Sequence, residues 1–326
     1  MKKKIGILHP HIHEKATEDE KDVLVQVEAI SKALKALGYN PVPVIFDLNL
    51  DAVAVSLRKL KPAFVFNLVE AVNGCGSLIH LAPALLDHLE IPYTGSGTEA
   101  MFITSNKLVG KSFFEAGGIA TPKAYTLSSL KKTTLVKGRY IVKSVWEHAS
   151  IGMSHDSVFT AKRASEIISR LKKTGNRVKS GCFCEKYIDG REFNAAILAG
   201  PDGPQVLPPA EILFLNYPSG KPKIVDYLAK WAPDSFEYLN TDRSFDFGPE
   251  DRNIIKSIRA TAIKCWNLLG LKGYARVDFR VDKSGKPWVL EINANPCLSP
   301  DGGFAVASAL VGLDYPMIVK RIIDDI

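Results

Sequence analysis

Ala275-Arg276-Val277-Asp278-Phe279-Arg280, followed one turn later by Val289-Leu290-Glu291-Ile292-Asn293-Ala294-Asn295-Pro296, is the stretch on which the reading of this chain turns. If the two runs pair as strands across the turn Asp282-Lys283-Ser284-Gly285-Lys286, Asp278 comes to lie beside Glu291 and Asn293. Glu291 and Asn293 share a strand face, because residues i and i+2 point the same way. Hard oxygen donors on adjacent strands are what Mg²⁺ on nucleotide phosphates requires, since that ion keeps waters and accepts one or two carboxylates. A solvated hairpin with incidental acids is the plain alternative. The ordered company of Arg276, Asp278, Glu291 and Asn293 argues against it.

Outward from the hairpin, the last third of the chain adds a strand at 193–198 and an amphipathic helix at 254–269. From 107 to 187 a helix precedes β-rich segments at 140–143, 157–160 and 182–187, with one helix, 164–171, between them. That pattern is a small α+β unit. The first hundred residues alternate strands at 5–8, 42–46 and 64–68 with helices at 24–37 and 78–89, and such βαβ alternation predicts a parallel sheet. Gly38 reads as the C-cap of the first long helix, and 91–97 as a short strand running into a loop. Three units are expected: 1–104, a βαβ substrate domain; 105–188; and 189–326, which carries the metal hairpin. Gly200-Pro201-Asp202-Gly203-Pro204 is a turn inside the last unit rather than a linker.

Composition sets limits without naming a chemistry. The chain has 326 residues, 46% hydrophobic and 24% charged, as an ordinary globular protein has. Its net charge of +7 is spread out, with small clusters at Lys2-Lys3-Lys4 and Lys131-Lys132 and no long basic tract with interleaved aromatics. A nucleic-acid partner is therefore not expected, and a polyanionic small substrate such as a nucleotide accounts for part of the excess. Five cysteines, an odd count without CxxC spacing, argue against a disulfide framework and a zinc site and point to the reducing cytoplasm. The apolar run after the basic start, Ile5-Gly6-Ile7-Leu8, is shorter than the roughly 7 residues of a signal-peptide core. No later run reaches the ~18 apolar residues of a membrane span.

Ahead of the hairpin lie, in order, Pro92-Tyr93-Thr94-Gly95-Ser96-Gly97, Asn106-Lys107, Gly117-Gly118-Ile119-Ala120-Thr121-Pro122 and Val142-Lys143. Ser150-Ile151-Gly152-Met153, Glu185-Lys186-Tyr187-Ile188, Glu192-Phe193 and Lys230 follow. With these pieces the chain resembles the ATP-grasp superfamily, and within it the D-alanine:D-alanine ligase family, over most of its length. The resemblance implies a mixed α/β and α+β architecture: an ATP-grasp fold behind an N-terminal parallel-sheet, pre-ATP-grasp domain. It also implies a homodimer, small carboxylate and amine substrates such as amino acids, and ATP with two Mg²⁺ ions, for which Mn²⁺ would substitute.

The resemblance also assigns roles. Lys107 and Lys143 would sit on the nucleotide phosphates, and Ser150, Ile151, Gly152 and Met153 form a short loop whose backbone N–H groups approach them. Glu185, Lys186, Tyr187 and Ile188 look like the hinge strand that reads adenine; a plain edge strand is the alternative. Glu192 would accept from the ribose hydroxyls, and Leu290 completes the nucleotide set. Lys230, on a loop rich in Pro, Asp and Ser, would reach the γ-phosphate. Arg276 would stabilise the transferring phosphoryl oxygens and the tetrahedral intermediate, helped by the backbone after Pro296. Asp278, Glu291 and Asn293 are the metal ligands.

On the substrate side the chain departs from the family. Ala149, Trp231 and Gly302 stand where hydroxyl-bearing residues are usual, Asn73-Gly74-Cys75-Gly76-Ser77 replaces a loop with His-Gly and Glu-Asp-Gly, and the N-terminal glutamate has candidates in Glu18, Asp19 and Glu20. Glu18, Trp231, Asn295, Cys297 and Gly302 are the substrate candidates. Hydrogen bonds to charged groups are worth about 1.5–3 kcal/mol, so losing several would cost orders of magnitude in affinity unless others replace them. The expectation is a carboxylate–amine ligase with an altered acceptor site. The alternatives are the family's own reaction on D-alanine and, from another class, a non-catalytic ATP-binding module. Retention of Arg276 at the reaction centre favours an enzyme. His9, His11 and His13 alternate at the end of the first strand, where lining the substrate cleft is a simpler role than metal binding. Cys182 and Cys184 read as small buried residues.

Overall fold

Ile5, Ile7 and Leu8 are fully buried, so the run 5–8 has no solvent face, as a central strand covered on both sides requires. In the computed structural model, which describes residues 2–13, 16–132, 137–146, 150, 152–176 and 181–326, this run lies in β1 (Lys4–Pro10). Helix α1 (Glu18–Ala36) starts at a capping box of Thr17 and Glu20, and Gly38, at φ +88°, ends it in the left-handed conformation that glycine adopts at least cost. Then come β2 (Asn40–Phe46), α2 (Leu50–Leu60), β3 (Val65–Asn67), α3 (Leu81–His88) and α4 (Thr98–Ser105). The sheet is parallel with order β2-β1-β3. The expected strand at 91–97 is instead a loop whose ladder contact is a single parallel bridge from Tyr93 to Val65. Pro92 has no N–H to donate, and Gly95, at φ +88°, turns the chain away.

Helix α5 (Lys107–Ala116), its N-terminus capped by the Asn106 side chain, leads into β4 (Ala124–Tyr125), β5 (Gly138–Ser144), β6 (Val158–Ala161), α6 (Ala164–Gly175) and β7 (Cys182–Lys186). These strands form an antiparallel sheet of order β4-β7-β5-β6, on which α6 packs Ile167 and Leu171 against Tyr140, Val142 and Cys184. The third sheet uses β8 (Gly190–Leu198), β9 (Gln205–Val206), β10 (Ala210–Phe214), β11 (Thr241–Ser244), β12 (Tyr274–Asp282) and β13 (Pro287–Asn293). Its order is β11-β10-β8-β12-β13, with β9 on β8. Between β10 and β11 run α7 (Tyr227–Trp231) and α8 (Phe236–Leu239); α9 (Arg252–Leu269), α10 (Gly303–Ala309) and α11 (Tyr315–Ile323) complete the chain.

Helix α9 turns Ile258, Ala262, Cys265, Trp266 and Leu269 inward onto Phe193, Val277 and Phe279, a spacing of three and four residues that gives one apolar stripe. A second cluster joins Ile5, Ile7, Ile30 and Leu34 to Leu198, Tyr274, Phe304, Ile318 and Ile322. The first strand and the last helix therefore share one core. Among the described residues no helix is long and apolar enough to cross a membrane.

Candidate active site

Strands β12 and β13 pair antiparallel with Asp278 opposite Glu291 and Arg276 opposite Asn293, as the hairpin reading requires. The register slips by one residue between Asp278 and Phe279, and such a bulge re-aims the side chains beside it. Asp282 closes the turn: one carboxylate oxygen accepts from the Ser284 N–H (2.9 Å), the Ser284 hydroxyl (2.6 Å) and the Lys286 N–H (3.2 Å), and the other from Trp288 Nε1 (2.8 Å). The Ser284 and Trp288 bonds hold its pKa down at about 2.

Arg276 forks onto Asp278 through Nε (2.8 Å) and a terminal nitrogen (2.9 Å), and Asn194 on β8 donates to the same carboxylate at 2.7 Å. Burial works against the Arg276 charge, but Asp278 and Glu291 outweigh it and raise its pKa above the ordinary value. Lys107 Nζ lies 3.2 Å from Glu291. Asn293 Oδ1 accepts from the Asn295 N–H at 3.0 Å, which fixes the carboxamide orientation. Two carboxylates and an amide oxygen on neighbouring strands, next to lysine and arginine side chains that anionic phosphates would also engage, fit Mg²⁺ shared with phosphate oxygens.

Beside the hairpin a cleft of about 380 Å³ is lined by Ile141, Lys143, Met153, Glu185, Lys186, Tyr187, Ile188, Glu192, Ile224, Arg280 and Leu290. It gathers most of the nucleotide residues read from the sequence between an apolar floor and a charged end. Glu192 pairs with Arg280 at 3.0 Å, and its burial raises its pKa despite that partner. The Tyr187 hydroxyl donates to the Lys223 carbonyl, and Arg139 stacks on its ring. Ser150, at φ +62°, donates its hydroxyl to the Val225 carbonyl at 2.7 Å, and Met153 N–H bonds back to the Ser150 carbonyl, making a tight turn with Gly152 at φ +75°. Ile151 and Ala149 lie outside the described residues.

Lys230 does not ride on a loop. It sits in the one-turn helix α7, where Asp226 caps the Ala229 N–H at 3.0 Å; the side chain of an N-cap aspartate was enough to order a segment that reads as a loop by composition. Burial depresses the Lys230 pKa, reinforced by Arg276 and opposed by Asp278, Glu291 and Glu192, so this lysine shares the field of the metal hairpin. The Trp231 indole N–H is buried and meets no acceptor.

The substrate candidates are brought together only in part. Glu18 pairs with Lys21 at the exposed start of α1, and Glu20 is used in the capping box; the Asp19 side chain lies outside the described residues. The acid of α1 that reaches the loop after β13 is Asp22, which accepts from Cys297 Sγ (3.0 Å), Ser299 Oγ (2.8 Å) and Gln26 Nε2 (3.1 Å). Asn295 is spent on tying elements together, accepting from the Tyr274 hydroxyl and donating to the Val69 carbonyl at 3.0 Å. Gly302 donates its N–H to Ser299, and a Cβ built on it would stand 2.9 Å from the Ser299 oxygen. His9 is buried, which lowers its pKa, while His11 and His13 pair edge to face. Sequence reasoning missed Asp22, Arg280 and Lys111. The last was detectable, because it lies four residues after Lys107 and so on the same helix face.

A metal hairpin facing a lysine-bearing cleft between two antiparallel sheets defines an ATP-dependent, ADP-forming carbon–nitrogen ligase of the ATP-grasp fold. The family described as D-ala D-ala ligase C-terminus matches residues 128–324. A D-alanine–D-alanine ligase of Synechococcus sp. (strain JA-3-3Ab) is 30% identical over 310 residues, 93% of this chain and 88% of that protein. One of Aquifex aeolicus (strain VF5) is 29% identical over 300 residues, 91% of this chain and 92% of its own. The chain belongs to the D-alanine–D-alanine ligase family. Solved structures agree on the fold: the Bacillus anthracis D-alanine–D-alanine ligase complexed with ATP matches with a TM-score of 0.72 at 21% identity, over 99% of this chain and 97% of that one. The VanG D-Ala:D-Ser ligase of Enterococcus faecalis matches with the same TM-score, 0.72, at 16% identity, over 99% of each chain.

Proposed function

We propose that this chain joins two D-alanine molecules in the cytoplasm, as a homodimer, using ATP with Mg²⁺. The observation that carries the reading is likeness at full length to proteins so named, 30% identity over 93% of the chain, together with the paired Asp278 and Glu291. Free carboxylates resist amines because their leaving group is poor. The first D-alanine's carboxylate oxygen attacks the γ-phosphorus of ATP and ADP leaves. The second amino group then attacks the acyl carbon, and phosphate departs with the electron pair of the broken C–O bond. Lys107, Lys143 and Lys230 hold the phosphates, Arg276 faces the transferring oxygens, and the Cys297 N–H supports the oxyanion. Mg²⁺ held by Asp278, Glu291 and Asn293 would neutralise phosphate oxygens.

A second reading keeps the chemistry and changes the acceptor to another amino acid or amine. The 2.9 Å approach at Gly302 favours it, since the serine usual in the family would collide with backbone in this loop. Phosphate release from ATP, measured across single and paired D- and L-amino acids and followed by mass spectrometry of the product, decides. D-alanine alone sufficing supports the first reading. Turnover only with a second, different amine supports the other, and ATP binding with no release under any pair would remove the catalytic reading.

A further inference from the structure

Lys111 is 3% exposed on α5 and no part of the chemistry above uses it. Its ammonium donates to Thr121 Oγ1 (2.8 Å) and the Pro122 carbonyl (3.0 Å) and lies 2.7 Å from Glu185. Glu185, 1% exposed, pairs through its other oxygen with Lys143 at 2.8 Å. A carboxylate buried so completely needs partners to remain charged. The lining of the nucleotide cleft includes Lys143 and Glu185 but not Lys111, which stands behind them. With Glu185 alone beside it, Lys143 would be a neutralised cation. The two ammonium groups and one carboxylate together leave a single positive charge, on the side that faces the cleft. Thr121 passes its own proton to the Val289 carbonyl at 2.8 Å, so the same lysine is fastened to the strand that carries Glu291.

We propose that Lys111 is a positioning residue for the triphosphate: by engaging Glu185 from behind, it keeps Lys143 available as an uncompensated cation for the phosphates. The inference rests on the reading of Lys143 as a phosphate ligand. Its signature is selective for charge, because an uncharged nucleoside takes the same cleft without needing that cation.

Calorimetric titration with ATP and with adenosine, both in Mg²⁺ buffer, tests it. Lys111→Met is expected to weaken ATP about tenfold or more and adenosine less than about threefold, since only the former binds through the charge. Lys111→Met with Glu185→Gln restores the single positive charge and is expected to recover most of the ATP affinity. Equal losses for both ligands, undiminished ATP binding, or no recovery in the double variant overturns the proposal. Should Lys111→Met not fold, Glu185→Gln alone is expected to bind ATP several-fold tighter than the double variant, and equal affinities overturn it. Wild-type protein that fails to bind ATP would overturn the reading of the cleft instead.

Discussion

Arg276 is positioned by a carboxylate that is itself a metal-ligand candidate: two of its nitrogens bond Asp278, at 2.8 and 2.9 Å, and both side chains sit on one strand face two residues apart. A planar fork held this way loses little freedom when it meets phosphoryl oxygens, which is why arginine rather than lysine suits the place. Charge that develops only during transfer is where such a group acts, so its removal belongs in turnover and not in ground-state binding. Arg276→Ala is expected to lower turnover by about two to three orders of magnitude, the usual loss for one stabilising donor at the reacting centre. ATP affinity by calorimetry should stay within about threefold, corresponding to less than roughly 0.7 kcal/mol. Turnover near the wild-type value would take Arg276 out of the reaction.

Two short elements carry the site, and each hangs on one aspartate. Asp282 holds the β12–β13 turn with four hydrogen bonds, and its pKa, near 2, lies below the ordinary carboxylate value of 3.8. A depressed folded-state value means stability that is complete above the ordinary pKa and lost as pH falls through the folded one. Asp282→Ala should therefore cost roughly 1–2 kcal/mol at pH 7. The gap in melting temperature from the wild type should narrow below about pH 4, and a gap independent of pH down to 3 would remove the carboxylate from the explanation. Asp226 does the same for α7, and Asp226→Ala should cost about 1 kcal/mol of local helix stability. Because α7 presents Lys230, the expected reading is a five- to tenfold fall in kcat/KM, about what ~1 kcal/mol of misplacement yields, with little change in global melting. These elements differ in how far sequence reveals them. The hairpin is legible because apolar strands, turn residues and acids all lie within twenty residues. Helix α4 is not, since five of its eight residues are buried and no amphipathic stripe survives. Nor is β11, a short polar edge strand whose burial comes from β10 alone. The partner of Asp22 escapes for a different reason: Cys297 and Ser299 lie about 275 residues away along the chain, and only tertiary packing brings them together.

At the scale of the whole molecule, substrate binding and folding draw on the same contacts. The cluster that contains Ile5 and Ile30 also contains Leu198, Tyr274 and Phe304, on the strands and helix around the metal hairpin, so the first sheet cannot loosen without exposing apolar surface beneath the site. Across the cleft, Thr121 ties the loop after α5 to β13 through the Val289 carbonyl, and the Val289 N–H returns a bond to Ala120 at 2.8 Å. A ligand bridging Lys143 on β5 and Glu291 on β13 thus engages two sheets that are already linked by backbone bonds, and it binds only the folded chain. Linkage then fixes the size of the effect: ATP at about a hundred times its Kd adds roughly 2.7 kcal/mol, a rise in melting temperature of about 2–4 °C per kcal/mol or less for a chain of this length. Without Mg²⁺ the carboxylates of Asp278 and Glu291 face the triphosphate uncompensated, and Lys107 and Arg276 must answer both. Thermal melts should show a shift of several degrees with ATP and Mg²⁺, most of it lost on chelation with EDTA. Glu291→Gln removes one of the repelling charges, so the shift with ATP alone should grow in that variant while the increment due to Mg²⁺ shrinks. An unaltered Mg²⁺ increment in Glu291→Gln would mean that the metal is held elsewhere.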